Sequence, residues 1–243
     1  MGYLSEANGN TSTAMGQETT AEGFASTTMG YLTYANGNQA IALGYNTRAE
    51  ANQATAMGNN TTANGSRSTA MGASTIASGV NSTAMGFQTT ASGGNSTAMG
   101  RLTTANGSYA PIAMGNSTTA SGETSTAMGR ETTASGAVST AMGSYTTASD
   151  FASVVIGQYN SSGSSVTNSA TSFNIANTAF VVGNGTDGSN SSDAFKVMFN
   201  GDATVSNDLT VNGDVTVSSD ARLEIRLASF SPTLFFHFSR PDL

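Results

Sequence analysis

The sequence predicts an all-β repeat fold. Three observations carry that reading: a fixed period of fourteen residues, strand-like alternation inside each period, and glycine near each half-period. A Met-Gly step or its Leu-Gly or Ile-Gly variant recurs at Met1, Met15, Met29, Leu43, Met57, Met71, Met85, Met99, Met114, Met128, Met142 and Ile156. The spacing is 14 residues throughout, except for 15 between Met99 and Met114. Midway between these marks comes Thr-Thr-Ala-(Ser/Asn)-Gly, as in Thr89-Thr90-Ala91-Ser92-Gly93. Self-similarity at a fixed period marks a stacked architecture.

Fourteen residues are too few for a helical hairpin or a propeller blade, and sufficient for two short strands and two turns. The first strand is Asn95-Ser96-Thr97-Ala98-Met99-Gly100, where alternation puts Ser96 and Ala98 on one face and Thr97 and Met99 on the other. The second pairs Thr103 with Ala105 on one face, leaving Thr104 and Asn106 on the other. Gly100 and Gly107 fall where each strand must turn. Helix competes poorly, because recurrent glycine and many β-branched threonines both disfavour it. Each repeat therefore reads as one coil of a β-roll, and eleven coils at about 4.8 Å make a rod on the order of 50 Å long.

Side-chain size assigns the faces. Ser82, Ala84, Ser96, Ala98, Ser125, Ala127, Ser139 and Ala141 suit a cramped two-layer interior. Thr13, Met15, Met29, Ile41, Leu43, Met57, Met71, Thr83, Met85, Thr97, Met99, Met114, Met128, Met142 and Ile156 then point outward. So long an apolar stripe marks an interface. A roll filled with Ser and Ala buries too little apolar area to stand alone, at roughly 25 cal/mol per Å². The core is therefore expected to be shared between chains.

The unit Asn81-Ser82-Thr83-Ala84-Met85-Gly86-x-x-Thr89-x-Ala91-x-Gly93 resembles the head repeat of the YadA-like trimeric autotransporter adhesins. The likeness covers roughly residues 1–157 and recurs coil after coil. It implies a left-handed parallel β-roll of 14-residue coils assembled as a homotrimer, the Thr/Met positions facing the threefold axis, followed by a β-rich trimeric stem. Thr and Met stand where the family has Val and Ile, and Met specifies packing less sharply. The extra residue near Pro111 predicts a bulge there, because proline removes a ladder donor.

Composition narrows the function. Only 9% of residues are charged and the formal net charge is −7, so a basic footprint for nucleic acid or anionic membrane is lacking. With no cysteine, disulfides and Cys-based metal sites are excluded. No signal peptide and no run of 18 apolar residues stand in the sequence. The chain is expected to be a piece of a longer, outer-membrane-anchored surface fibre, or a virion fibre that does not use that export route. No cofactor and no metal are expected.

Beyond the head repeats of 1–157, a Ser/Asn-rich linker or neck is expected over 158–178 and a β-rich stem over 179–218. Within that stem Ala179–Gly183 and Ala194–Phe199 read as strands, and Asn212-Gly213 between alternating apolar residues is a hairpin signal. The stretch resembles the stem that precedes the S74 peptidase (intramolecular chaperone) domain of tail fibres. Ser219, Asp220, Arg222 and Leu223 match that family's cleavage junction, with Ser219 as nucleophile, whereas Glu224 replaces the lysine that would act as its base. Residues 219–243 therefore read as a truncated or aberrant start of that domain. The chain is expected to perform no reaction, and the lone His237 among phenylalanines reads as packing.

What varies is the pair of turn residues after each Met-Gly. Tyr31, Tyr45, Phe87, Arg101 and Tyr145 are the candidate ligand-binding residues, displayed on a regular scaffold where weak contacts add by avidity. The expected partners are further copies of the chain and an extracellular matrix protein, glycan or host-cell receptor. A phage or viral tail-fibre receptor-binding segment is the alternative. A third reading, ice binding, rests on the outward ladder Thr20, Thr62, Thr90, Thr104, Thr119, Thr133 and Thr147, which Tyr34, Arg48 and Ile76 interrupt.

Overall fold

The computed structural model describes residues 2–212. Ser219, Glu224, His237 and the Asn212-Gly213 hairpin signal lie wholly or partly outside them. Contacts divide the chain into Met1–Asn207 and Asp208–Leu243; the described residues of the second unit, 208–212, carry no helix or strand.

Residues 2–158 form a parallel β-solenoid of about 11 coils. Each coil contributes a five-residue strand such as Thr83–Phe87 to one sheet and a two-residue strand such as Thr90–Ala91 to the other. Like stacks on like across coils: Thr83 pairs with Thr97, Met85 with Met99, and Phe87 with Arg101. The fourteen-residue clock is thus the register itself, because equal coil length leaves each residue one position to occupy on its neighbour.

The interior is as small as the sequence requires. Ala42, Ala56, Ala70, Ala84 and Ala98 run up one wall and Ala63, Ala77, Ala91 and Ala105 up the other, all fully buried. Ser82, Ser96, Thr89 and Thr103 complete the lining. The hydroxyls of Thr61, Thr75, Thr89 and Thr103 find no protein partner among the described residues. Little beyond methyl groups therefore stabilises this core, and the backbone ladder and the outer faces must carry the coil.

The corners differ from the sequence expectation. They turn on non-glycine residues in the left-handed region, one every seven residues along most of the roll: Asn81 (φ 56°), Gln88 (φ 52°), Asn95 (φ 54°) and Leu102 (φ 55°). The recurrent glycine after Met serves close approach instead. At Gly86, φ is +125°, and a Cβ would overlap the carbonyl oxygen of Gly100 on the next coil.

The predicted bulge at Pro111 is also corrected. Ile112–Asn116 pairs with Thr97–Arg101 in unbroken register. The extra residue is absorbed in the preceding turn, where Tyr109 (φ 53°) and Ala110 (φ 20°) are both left-handed. Elsewhere the N–H at the Pro111 position closes a turn, as Ser96 does to Gly93 O at 3.3 Å, while its carbonyl serves the ladder. Pro111 keeps that second role, accepting from Thr97 N at 2.9 Å. Proline here costs a turn bond and no ladder bond.

The roll ends in polar caps. Asp150 stands where earlier coils have glycine, or alanine at Ala51, and it is fully buried. Its carboxylate accepts from Thr167 N (2.6 Å), Thr167 Oγ1 (2.7 Å) and Thr178 N (2.8 Å). Asn160 replaces the next short strand with its side chain: Oδ1 accepts from Thr147 N at 2.8 Å and Nδ2 donates to Thr147 O at 2.9 Å. Both devices satisfy an edge that would otherwise be an open template for pairing. Through these contacts the segment expected as a linker or neck folds back on the last coil. Thr178–Asn184, at the start of the region expected as a β-rich stem, continues the long sheet, pairing Phe180 with Val154 and Val182 with Ile156. Asp193–Met198 and Ala203–Val205 then add antiparallel.

Candidate functional site

Two outer features dominate the roll: the stripe on the long sheet and the columns at its adjoining corner. On the stripe, Met15, Met29 and Ile41 are 48%, 42% and 38% exposed, and Met57 to Met142 are half-buried by the coils above and below. Thr27, Thr55, Thr83, Thr97 and Ile112 run beside them in register, so a Met line and a Thr-rich line project from one face. Thr13, Leu43 and Ile156 lie on the same face.

Four of the five candidate ligand residues share one corner column. Gln17, Tyr31, Tyr45 and Asn59 are consecutive in it, as are Phe87, Arg101 and Asn116. Tyr31 and Tyr45 lie 5.5 Å apart between centroids, tilted by 36°. Phe87 and Leu102 are 45% and 40% exposed around the exposed Arg101.

Tyr145 belongs to the next column and is already engaged. Its ring stacks on Tyr159 at 4.5 Å, and the Arg130 guanidinium lies 5.0 Å from its centroid. Its hydroxyl donates to Glu131 at 2.8 Å and accepts from Arg130 at 2.9 Å. The Glu131 bond holds the phenol above its usual pKa, because ionising it would set two anions in contact. Tyr34, on the short sheet, repeats the pattern: it donates to Glu22 at 2.7 Å, which raises its pKa, with Arg48 5.2 Å from its ring. Arg48 in turn pairs with Glu50 at 2.7 Å. This cluster stands among the threonines of the short sheet and leaves Thr90, Thr104, Thr119, Thr133 and Thr147 as the uninterrupted run.

Sequence reasoning passed over Asp150 and Asn160, although Asp150 puts a carboxylate into a column that otherwise holds only Gly and Ala51, which is a readable signal. It also passed over Lys196, the single lysine of the chain. Among the described residues no three of His, Cys, Asp and Glu gather as a metal site, and no helix is long and apolar enough to cross a membrane.

The family model of the YadA head domain repeat, spanning two copies, matches residues 1–19, 7–27, 21–47, 49–75, 77–103, 91–110, 112–132 and 120–146. No curated protein matches the chain. The matched segments tile the solenoid coil by coil, and the YadA head is an adhesin-type, surface-exposed structure. Matched over more than half of its length, the chain belongs to the YadA head-repeat family.

Proposed function

We propose that this chain is the head of an extracellular homotrimeric fibre that adheres to a host, matrix or glycan receptor. The observation that carries the reading is the pair of in-register Thr and Met lines on one face, left partly exposed in a single chain. Burying that face against two further copies removes it from water, and the family resemblance implies a left-handed roll with this face on the threefold axis. Three copies then display the Tyr31–Tyr45 and Phe87–Arg101 corners in parallel, where weak contacts add by avidity. Within this reading the head spans 1–157, the 158–178 segment closes it, and 179–218 starts a stem; the Ser219 junction is inert.

Two measurements test it. Light scattering on the purified chain should give three times the 24.4 kDa chain mass. Arrays of matrix proteins, glycans and cells should then capture the trimer, and changing Tyr31, Tyr45 and Phe87 to Ser and Arg101 to Ala together should abolish capture. A stable folded monomer removes the trimer from the proposal, and unchanged capture removes the corner.

A further inference from the structure

Beyond the last coil, residues of the strands Thr178–Asn184, Asp193–Met198 and Ala203–Val205 and of their connecting turns, with Ser161 and Ser162, line an open cleft of about 430 Å³. Its lining residues are all of polar type, and its two charged side chains are in different states. Asp193 is spent: Oδ1 accepts from Ser161 N at 2.9 Å, and Oδ2 accepts from Ser161 Oγ and Ser162 N, each at 2.8 Å. Three donors satisfy both of its oxygens with charge-assisted hydrogen bonds. Lys196, half-buried at the middle of its strand, has no carboxylate within 4.0 Å among the described residues.

The neutral groups are arranged to match. Ser206 Oγ donates to the Asp193 carbonyl, and Ser192 Oγ donates to Asn184 Oδ1 at 2.8 Å. Both hydroxyl protons are thereby turned to protein, leaving the oxygen lone pairs as acceptors. Asn184 has its carbonyl engaged and its Nδ2 donors available. One ammonium, one amide donor and two hydroxyl acceptors line a cleft wide enough for a single sugar ring. A carboxylate answers the ammonium, and neighbouring sugar hydroxyls answer the rest.

We propose that this cleft is a subsite for a carboxylate-bearing sugar unit of an acidic glycan, with Lys196 as the group that takes the carboxylate. It deepens the adhesive reading by naming a ligand class, yet it stands on residues separate from the Tyr31–Arg101 corner. The two can fail independently.

The test uses the full chain and two probes, glucuronate and glucose, titrated by ligand-observed NMR with circular dichroism as the fold control. Glucuronate should bind saturably in the millimolar range and glucose at least tenfold more weakly. Lys196→Met should weaken glucuronate about tenfold, the loss expected for one hydrogen bond to a charged group, and leave glucose unchanged. Lys196→Arg should retain glucuronate binding. Asn184→Ala should weaken both probes, which reports on the hydroxyl side of the cleft. The Tyr31, Tyr45, Phe87 and Arg101 variant should bind glucuronate like the parent. The proposal is overturned if glucuronate does not saturate, if both sugars bind equally, or if folded Lys196→Met binds glucuronate as the parent does.

Discussion

Replacing Met99 by Lys tests the proposed trimeric core. Met99 stacks between Met85 and Met114 and is half-buried within one chain, so assembly removes only the remaining half from water. Full burial of a Met side chain contributes about 1.5–3 kcal/mol, so that half contributes about 1 kcal/mol per chain and about 3 per trimer. Three ammonium groups near one axis, about 8 Å apart at an effective dielectric constant near 20, repel by about 2 kcal/mol per pair. The three pairs bring the total penalty near 9 kcal/mol, about six powers of ten in the association constant. Sedimentation equilibrium at micromolar concentration should find Met99→Lys dissociated and the parent trimeric. Thr104→Lys adds the same charge on the short sheet's outer face and should stay trimeric. An intact Met99→Lys trimer with an unshifted dissociation curve would falsify the axial placement of the stripe.

Gly86→Ala should destabilise the roll by at least about 2–3 kcal/mol, because φ +125° and the Gly100 carbonyl both reject a Cβ. Gly94→Ala, with nothing within 4 Å of the added methyl, should change the melting temperature little. Asp150→Ala strands the Thr167 and Thr178 amides and should cost about 2–5 kcal/mol in thermal unfolding, with hydrogen exchange rising first at those two amides. Ultraviolet titration should show two phenols, Tyr34 and Tyr145, ionising above the ordinary tyrosine value near 10. A raised phenol pKa contributes stability that is fully present below the unfolded value and is lost as pH rises through the folded one, so this contribution fades only in alkali. Glu131→Gln should lower the Tyr145 pKa toward the ordinary value, and an unmoved titration curve would remove Glu131 as the cause.

Periodicity by itself determined the architecture. A fourteen-residue clock with Ala and Ser alternating against Thr and Met admits one register, and that register assigned the inside and outside of every coil from Met15 to Ile156. The small interior of Ala84 and Ala91 and the outward stripe of Met85 and Met99 were legible because stacking makes each position its own neighbour. Tertiary structure decided what stacking alone cannot express. Only the coil-to-coil distance shows that Gly86 is needed for backbone approach while Gln88 and Asn95 make the corners, since a sequence shows glycine but not the carbonyl that faces it. Only the folded turn shows that Pro111 costs no ladder bond. Tyr145 reads as a free turn residue until Arg130, Glu131 and Tyr159 are seen around it, because those contacts join different coils. The caps at Asp150 and Asn160 and the cleft at Lys196 lie where the period stops, and there position in the chain no longer fixes position in space.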